Sequence, residues 1–600
     1  MQALPAVPPP KPSRGRSFAF AAAAVALPLV AVLLLEGALR LAGVGASWRE
    51  PFRPVPGHPA AVALAPDYGG LFFRGFRPGV AFDPVAAEKA PGTVRVFALG
   101  GSTTAGFPYH WYTGFPARLE DRLAVALPGR TVEVANLGMT ATNSYTLWAL
   151  ADAVAAQRPD AVVIYSGHNE YYGAYGTGGT QGGGGTSVPL KRAVIAASRW
   201  GLVAGPRAWL ESGGAPDAEG RTMMARVIRD AAIDRGGSVY RAGVEQYEAN
   251  LRDVLRTFEQ AGIPVFLATL TSNLAGQAPL GEDAAAAAAF DDGRRLLAQG
   301  DTAAARAAFL EAKEADGLRF RAPEAMNEVV RRLAADFAHV TLVDVERAFR
   351  RASPGGLEGE ALFTDHLHPN ARGYALMADA FVGEMRATLP VLEDADPIPP
   401  APTAIDSVEA GFARLHLAAL MNGYPFRKDR TPEQAQAAAR AVAEAMRTSG
   451  RYADALAVQA VLGGMPMANA LDAAVGRARA QGDTLAALRY YDALLRWQPF
   501  NTALMERATG FALQDERFDA ETAGLARYTS LHDAGSFGLR AQSAVALRQG
   551  DLRRAARLLD LVEEREPRSP EVLFNQARLA VMQGDTAQAR AYFERYQEVR

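Results

Sequence analysis

Two short segments that lie far apart in the chain carry the residues with the clearest chemical potential. Ser102 follows two glycines at the end of the apolar run VRVFALG, where a buried strand would break sharply into a helix. Asp365 and His368 stand three residues apart in FTDHLHPN, just before a predicted helix. A hydroxyl nucleophile, an imidazole base and a carboxylate that orients the base are what acyl-ester chemistry requires. The pattern therefore predicts a serine hydrolase or acyltransferase with Ser102, Asp365 and His368 as catalytic residues.

Two further residues follow other predicted strands and are candidates for stabilising a developing oxyanion. Gly138 ends the run VEVANLG, and Asn169 comes directly after IYSGH. A glycine N–H and an asparagine amide can both donate to a substrate oxygen, and the Ser102 N–H would be a third donor. Each residue taken alone is more often structural, so the prediction depends on their combination.

Four more residues are candidates for substrate binding. His168 adjoins Asn169, and Asn273 follows the predicted strand PVFLATL. Arg319 and Arg321 in LRFRAP are suited to a substrate carboxylate or phosphate. Arginines of this kind more often belong to a solvated face, which is the alternative for both.

The sequence predicts no metal and no cofactor. His366 stands between Asp365 and His368, and we interpret it as a loop histidine that faces away from His368. These three residues are metal-ligand types, but no second ligand cluster with matching spacing occurs. No Lys-Ser or Lys-Thr follows Gly106 and no G-x-G-x-x-G is present, which argues against nucleotide binding.

The residues between these motifs alternate between apolar runs and amphipathic runs. Predicted strands are VRVFALG, VEVANLG, DAVVIYSG, PVFLATL and VTLVDV, and predicted helices are FPARLEDRLAVAL, SYTLWALADAVAAQ, YEANLRDVLRTFEQAG, MNEVVRRLAADFA and ARGYALMADAFVGEMRATL. This alternation predicts an α/β domain with a parallel sheet covered by helices on both faces. Because ligands bind at the carboxyl ends of such strands, the motifs are expected to meet at one edge of the sheet.

The C-terminal third repeats itself. Gly482, Gly550 and Gly584 stand at intervals of 68 and 34 residues, Asp follows each one, and an alanine lies five residues after each. Gly300 and Ala305 have the same offset inside 284–315, which reads as a helical hairpin within the catalytic domain. A 34-residue period of helix, tight turn and small residue is the tetratricopeptide (TPR) signature. We therefore predict an all-α TPR solenoid that presents a surface to a protein partner.

The N-terminus predicts a membrane anchor. Basic residues precede an uncharged run from Ser17 to Leu35, which as a helix spans about 28 Å, close to the thickness of a bilayer core. Positive charge before the span favours a cytoplasmic N-terminus, with the catalytic and repeat domains outside the cytoplasm, on the periplasmic side. Cleavage as a signal peptide near Ala46 is the alternative.

These features divide the 600 residues into consecutive predicted parts, which are a cytoplasmic N-terminus (1–16), a transmembrane anchor (17–44), an approach segment (45–90), a hydrolase domain (91–395) with a helical insertion (284–315), a linker (396–430) and a TPR domain (431–600). The 63 Lys and Arg nearly balance the 65 Asp and Glu, which gives no general attraction to nucleic acid. The chain has no cysteine, so disulfides, thiolate metal sites and cysteine nucleophiles are excluded.

The four motifs, in order and each after a predicted strand, resemble the SGNH/GDSL hydrolase family, whose blocks carry Ser, Gly, Asn and Asp-x-x-His. The resemblance covers residues 91–390 and implies a flavodoxin-like three-layer fold. It implies Ser102 as nucleophile, Gly138 and Asn169 in the oxyanion hole, His368 as general base and Asp365 as its orienter. The first block reads GGST and the third ends in Glu170 where the family has Asp, so the resemblance leaves pocket shape and substrate class undefined.

Taken together, these features predict a membrane-anchored serine esterase outside the cytoplasm. Location and the family resemblance point to an O-acetyl ester of a cell-envelope or secreted glycan as substrate. Three alternatives stay open, namely O-acyl transfer to a sugar hydroxyl from the same acyl-enzyme, a scaffold whose repeats recruit envelope machinery, and a lipid-directed esterase. The expected partners are the ester substrate, a protein bound by the repeats, and the membrane, but not nucleic acid.

Overall fold

The computed structural model describes residues 14–73, 77–180, 187–212, 223–393, 395, 398, 400–532 and 535–600. Most of the predicted cytoplasmic segment, residues 1–13, therefore lies outside the described residues. The chain then forms a long apolar helix, α1 (Arg14–Leu41), and a short helix, α2 (Ala46–Arg49). Within α1, Ala22–Leu41 is long and apolar enough to cross a membrane, although a signal sequence meets the same criterion.

The predicted approach segment is folded rather than irregular. It contains a small antiparallel sheet of β1 (Phe52–Val55), β2 (His58–Leu64) and β3 (Val85–Ala86), in that order. A 3₁₀ turn at Tyr68–Leu71 is buried in the same hydrophobic core as the central sheet. This part of the chain therefore belongs to the catalytic domain and is not a spacer.

The central sheet has five parallel strands in the order β5-β4-β6-β7-β8. They are β4 (Val94–Gly100), β5 (Val132–Asn136), β6 (Ala161–Tyr165), β7 (Val265–Ala268) and β8 (Val340–Val343). Numbered within the sheet this order is 2-1-3-4-5, the flavodoxin-like arrangement. Every residue of β4, β6 and β7 is buried, which explains their continuous apolar runs. The predicted parallel α/β sheet is confirmed.

Helices cover this sheet in two layers. Helices α4, α13 and α14 pack together in one layer, and α5, α9 and α12 pack together in the other. The helices of this part of the chain are α3 (Ser102–Ala105), α4 (Phe115–Ala126), α5 (Ser144–Ala156), α6 (Val188–Ser198), α7 (Gly201–Ser212), α8 (Met223–Val227), α9 (Ser238–Gln260), α10 (Ala284–Ala298), α11 (Thr302–Ala315), α12 (Glu324–Asp336), α13 (Val345–Ala352) and α14 (Ala371–Thr388). Three 3₁₀ turns accompany them at Trp111–Thr113, Pro354–Gly356 and Pro390–Leu392. Residues 284–315, predicted as a helical insertion, form the hairpin of α10 and α11.

From residue 400 onward, the described residues (400–532 and 535–600) form α-helices, connecting loops and one 3₁₀ turn at Glu516–Phe518. Its helices are α15 (Ser407–Met421), α16 (Pro432–Arg447), α17 (Tyr452–Leu462), α18 (Met467–Ala480), α19 (Thr484–Trp497), α20 (Thr502–Ala512), α21 (Asp519–His532), α22 (Phe537–Arg548), α23 (Leu552–Arg565), α24 (Pro570–Gln583) and α25 (Thr586–Val599). Neighbouring helices pack on one another along the chain.

The repeated Gly-Asp pairs turn the chain between paired helices. Gly482, Gly550 and Gly584 have φ values of 72°, 73° and 81°, a backbone region that glycine enters without strain. The aspartate after each glycine caps the next helix by accepting an N–H. The alanine five residues on is buried, so the two helices can approach closely. These turns explain the sequence period, and the assignment of the units to the TPR class stays a prediction.

The stretch interpreted as a linker includes α15, which is fixed to the catalytic domain. Glu409 on α15 is fully buried and accepts the His110 N–H at 2.6 Å and the Tyr112 hydroxyl at 2.8 Å. Burial alone would raise the pKa of Glu409, but His110 lowers it below its ordinary value. Farther along, Arg496 on α19 lies 2.8 Å from Asp121 on α4. The helical region therefore packs against the catalytic domain through buried polar contacts.

Candidate active site

Ser102 stands at the sharp turn between β4 and α3, and it is only 7% exposed. The two glycines before it allow close approach of neighbouring segments. A Cβ added at Gly100 would lie 2.2 Å from Tyr165 O, and one at Gly101 would lie 2.9 Å from Asn169 Nδ2. Glycine at both positions therefore lets the chain after β6 pack directly beside Ser102, at the carboxyl edge where the strand order reverses.

The loop before α14 holds Asp365 and His368 in one arrangement. Asp365 Oδ1 accepts the N–H groups of Leu367 at 2.9 Å and His368 at 2.8 Å, and the Thr364 N–H closes the turn onto His368 O at 2.9 Å. Asp365 Oδ2 lies 2.6 Å from His368 Nδ1, and His368 Nε2 lies 2.7 Å from Ser102 Oγ. The structure thus brings the three predicted residues together as a hydroxyl–imidazole–carboxylate chain.

The electrostatics of this chain keep Asp365 ionised and orient the imidazole of His368. Burial alone would raise the pKa of Asp365, but the imidazoles of His368 and His366 hold it well below its usual value. An ionised carboxylate on Nδ1 favours the tautomer in which Nε2 can accept a proton from Ser102. The ring of Phe107 packs against His368 with 4.5 Å between centroids, which restricts rotation of the imidazole.

Gly138 does not have the free N–H that the sequence predicted. Its N–H donates to Asn136 Oδ1 at 2.9 Å, and an added Cβ would lie 2.2 Å from Ala105 N, so glycine is needed here for packing. Ala141 lines the pocket beside Ser102 instead. Its φ of 61° is uncommon for a residue with a side chain, and its N–H donates no hydrogen bond to any residue the structure describes. Alanine carries no sequence signal for this conformation, which is why it was missed.

Asn169 lines the same pocket and is partly exposed. Its Nδ2 donates one hydrogen bond to Thr142 O at 3.1 Å. This contact fixes the orientation of the amide and leaves its second N–H for a ligand in the pocket. Asn169 therefore lies beside Ser102, where an oxyanion donor is needed, and its role as a donor stays a prediction.

Glu170, directly after Asn169, is fully buried in a polar network. Its carboxylate accepts the Ser144 hydroxyl at 2.7 Å, the Ser144 N–H at 3.2 Å and Gln246 Nε2 at 2.8 Å. Burial raises the pKa of Glu170 to about 7 in spite of these donors. The network ties the segment carrying Asn169 to α5 and α9.

Replacing Glu170 by Gln is expected to change how stability depends on pH. Because the folded-state pKa of Glu170 is raised from 4.5 to about 7, its stabilising contribution is complete below pH 4.5 and is lost as pH rises through about 7. The loss amounts to about 3 kcal/mol. The thermal midpoint of Glu170→Gln, measured relative to the unmodified chain, should therefore rise between about pH 5 and about pH 8. The midpoint of Glu170→Gln should also be lower by a constant amount at every pH, since an amide would face the Ser144 N–H. If the difference in midpoint between the two proteins did not vary with pH, the raised pKa of Glu170 would be contradicted.

His168 and Asn273 do not line the pocket beside Ser102, contrary to the prediction that they bind substrate. His168 Nδ1 accepts the Ala322 N–H at 3.2 Å, and burial lowers the pKa of His168 to about 3, so the imidazole is neutral. Asn273 Nδ2 donates to Asp365 O at 2.9 Å, and the Asn273 N–H donates to His366 O at 3.0 Å. Asn273 therefore supports the loop that carries the catalytic candidates.

Arg319 and Arg321 neither face a substrate nor form a solvated face, so both predictions for them are wrong. They are 2% and 4% exposed. Arg319 Nη1 donates to Glu314 O at 2.6 Å, and Arg321 Nη1 donates to Asn273 O at 3.1 Å. Arg321 Nη2 also lies 3.4 Å from Asp316 Oδ2. Their guanidinium groups hold together the chain between α11 and α12.

His366 lies in the pocket rather than pointing away from His368. The two rings are 5.6 Å apart between centroids, and His366 Nδ1 lies 3.2 Å from Asp365 Oδ1 without hydrogen-bond geometry. Burial lowers the pKa of His366. The ligand atoms of Asp365, His366 and His368 lie within 4.8 Å of one another, as a metal site would need. Both nitrogens of His368 are already engaged by Ser102 and Asp365, so a metal ion would have to replace one of these contacts.

The pocket beside Ser102 spans about 550 Å³, part of which is open solvent at its mouth. Its polar edge is formed by Ser102, Asn169 and His368, and most of the remaining wall is apolar. One apolar wall residue, Leu420, comes from α15 in the C-terminal region. Leu420 is not predictable as a pocket residue, because the sequence of a helix does not show which distant pocket its side chains reach.

Comparison with known proteins indicates an ester hydrolase. Residues 98–376 match the model of the GDSL-like Lipase/Acylhydrolase family. No curated protein matches the chain at a significant level.

Similar solved structures include a catalytic mutant of an acetylxylan esterase from Geobacillus stearothermophilus, with 19% identity, 50% of this chain and 95% of that chain covered, and a TM-score of 0.26. The lipase/acylhydrolase from Enterococcus faecalis has 18% identity, 51% and 99% coverage, and a TM-score of 0.27. At such low scores these structures carry no argument, and the similarity rests on the family model. Residues 98–376, which hold the hydroxyl–imidazole–carboxylate chain, are similar to the GDSL-like lipase/acylhydrolase family, and the chain is an ester hydrolase.

Proposed function

We propose that the chain cleaves its ester through an acyl-enzyme formed on Ser102. The observation that carries the proposal is the continuous contact from Ser102 Oγ to His368 Nε2 at 2.7 Å and from His368 Nδ1 to Asp365 Oδ2 at 2.6 Å. A nucleophile, a base within hydrogen-bond reach and a group that orients the base are the parts of a serine esterase. Their burial excludes bulk water from the proton transfer.

In the first half of the reaction, His368 Nε2 accepts the Ser102 proton while Oγ attacks the ester carbonyl carbon. The tetrahedral intermediate collapses as the bond to the alcohol oxygen breaks, and His368 returns the proton to that oxygen. In the second half, His368 takes a proton from water, whose oxygen attacks the acyl carbon. The bond from the acyl carbon to Ser102 Oγ then breaks, His368 returns the proton to Oγ, and the acid is released. Asp365 stays ionised throughout and stabilises the imidazolium.

The proposed oxyanion donors are the Ser102 N–H, the Ala141 N–H and Asn169 Nδ2. The free Ala141 N–H in the pocket and the oriented Asn169 amide support this set, whereas the Gly138 N–H is already used by Asn136. Each donor aimed at the developing negative charge contributes a few kcal/mol to the transition state. Ala141 thus takes the place that the sequence analysis gave to Gly138.

We propose that α1 anchors the protein and that the remainder lies outside the cytoplasm. The support is the exposure of its apolar side chains, such as Leu27 at 68% and Leu34 at 69%, which a bilayer would cover. Near its end, Glu36 is buried and accepts the N–H groups of Gly201 at 3.1 Å and Leu202 at 3.0 Å at the start of α7. The end of the proposed anchor is therefore part of the folded domain, which would hold the active site at a fixed position relative to the membrane.

The helical region is proposed as a TPR solenoid that binds a protein partner. The repeated positive-φ glycine, capping aspartate and buried alanine support the repeat type. An ester of a cell-envelope or secreted glycan remains the proposed class of substrate from location alone.

A fluorophosphonate ester tests the proposed acyl-enzyme directly, since it phosphonylates an activated serine. We expect one equivalent to attach to the full-length chain, tryptic mapping to place it on Ser102, and hydrolysis of p-nitrophenyl acetate to stop in proportion to labelling. The Ser102→Ala variant is the control and should remain unlabelled. Labelling of another residue, or activity that survives complete labelling, would refute the proposal.

A further inference from the structure

The wall of the pocket beside Ser102 is built largely from side chains outside the four catalytic motifs. Met224 and Val227 come from α8, between β6 and α9, and Phe320 comes from the segment after the α10–α11 hairpin. These three side chains are 5%, 6% and 5% exposed, so they form a packed apolar surface. None of the residues that line the pocket in the described structure is Asp, Glu, Lys or Arg.

Leu420 reaches this pocket from α15, beyond the segment that matches the family model. Two further contacts fix the position of α15 over the site. His416 stacks on Phe107 with 6.2 Å between ring centroids, and Phe107 packs on His368. Just after α15, Phe426 meets the ring of His366 edge-on at 5.2 Å. The helical region therefore completes the pocket as well as packing beside it.

We propose that Leu420 forms one wall of an acyl-binding pocket and selects an aliphatic acyl group longer than acetyl. The inference rests on the proposed acyl-enzyme at Ser102 and adds the class of acyl group to it. Wall side chains that are neutral and mostly apolar offer an aliphatic chain a place to leave water. They offer few partners for the hydroxyl groups of a sugar, so the alcohol side of the ester lies elsewhere.

The physical consequence is a dependence of rate on acyl chain length. Each methylene group that enters the pocket should raise kcat/KM about fourfold until the space is filled, from the transfer free energy of a buried methylene group. Beyond that length the rate should fall, because extra methylene groups meet the wall. Leu420 is only partly buried, so its substitution is expected to alter the wall without unfolding the chain.

The experiment measures kcat/KM of the full-length chain for p-nitrophenyl acetate, butyrate, hexanoate, octanoate and dodecanoate. Leu420→Ala and Leu420→Trp are compared with Leu462→Ala, whose leucine is 58% exposed at the end of α17 and far from any catalytic candidate in sequence. We expect a maximum between butyrate and octanoate, a shift to longer esters in Leu420→Ala, and a fall of about tenfold or more in the octanoate-to-acetate ratio in Leu420→Trp. Leu462→Ala should keep the original profile.

Two outcomes separate failure of this inference from failure of the proposed function. Hydrolysis that depends on Ser102 but is fastest for acetate, with the same profile in both Leu420 variants, would overturn the acyl-pocket proposal alone. Absence of Ser102-dependent hydrolysis for every ester, together with no fluorophosphonate labelling, would overturn the acyl-enzyme and this inference with it. A thermal midpoint for each variant close to that of the unmodified chain ensures that the profiles compare folded proteins.

Discussion

The Ser102→Ala variant is expected to lose more than about 10⁴-fold in kcat/KM for p-nitrophenyl butyrate. The hydroxyl is the only nucleophile within 2.7 Å of His368 Nε2 among the described residues, and alanine leaves the imidazole with no proton to accept. A residual rate above that in water is expected, because the oxyanion donors still bind the ester carbonyl. KM should change little, since the apolar wall of the pocket is unaltered.

Ser166 provides a matched control for this substitution. It is also buried and follows a strand of the same sheet, and its Oγ has no hydrogen-bond partner among the described residues. Ser166→Ala should therefore leave kcat/KM within about twofold and the thermal midpoint nearly unchanged. Equal losses in the two variants would mean that Ser102 acts through structure, and the nucleophile would have to be sought elsewhere.

Much of the fold is predictable from the sequence because its signals are local and repeated. The run from Val94 to Gly100 is apolar at nearly every position, as a strand covered on both faces must be, and the structure has it as β4. Gly300 in the turn of the α10–α11 hairpin has a φ of 82°, and Asp301 caps the helix that follows. The glycine-aspartate pair in the sequence therefore predicts both the turn and the start of the helix. Such elements can be predicted without knowing which distant residues pack against them.

The catalytic chain is predictable for a similar reason, whereas its surroundings are not. Asp365 and His368 are close in sequence, and the loop geometry follows from hydrogen bonds within that one segment. The roles of Arg319 and Arg321 depend on carbonyl groups that long-range packing brings to them. A sequence pattern does not show whether an arginine meets a substrate, water or a buried carbonyl.

The proposed oxyanion donor shows the same limit at the level of the backbone. Gly138 was predicted because glycine is the residue expected where a backbone N–H must be accessible. The structure uses that glycine for contact with α3, and gives the left-handed conformation to Ala141. Backbone strain at a residue with a side chain is frequent at functional sites, and the surrounding fold, not local preference, decides where it occurs.

The region predicted as a linker, residues 396–430, packs against the catalytic domain. Glu409 and Leu420 on α15 both face that domain. A carboxylate that accepts four hydrogen bonds from residues 110–113 is a strong constraint on the position of the helix. Glu409 and Leu420 thus place α15 of the C-terminal region against the candidate active site, and neither residue belongs to a recognisable sequence motif.

The Asp365→Asn variant should lose about 10⁴-fold in kcat while keeping its fold. Asparagine has the shape of aspartate and can still accept the N–H groups of Leu367 and His368 through Oδ1. Its amide places an N–H against His368 Nδ1, which favours the tautomer that carries hydrogen on Nε2 and has no lone pair for the Ser102 proton. The loss should therefore appear in kcat, measured with saturating p-nitrophenyl butyrate, and not in KM.

The pH dependence of kcat bears on the role of Asp365. Because the pKa of Asp365 is held well below its usual value, Asp365 stays ionised as pH falls through the weakly acidic range. A loss of rate in that range therefore does not come from protonation of the carboxylate that orients His368.

His366→Phe is the comparison that assigns the carboxylate to His368 and not to its neighbour. His366 Nδ1 lies 3.2 Å from Asp365 Oδ1 but makes no hydrogen bond, and its ring packs against Phe426. Phenylalanine preserves that packing and removes both nitrogens, so kcat should fall by less than about tenfold. A loss of kcat in His366→Phe as large as that in Asp365→Asn would contradict this assignment. It would mean that Asp365 orients both imidazoles and that both histidines take part in moving the Ser102 proton.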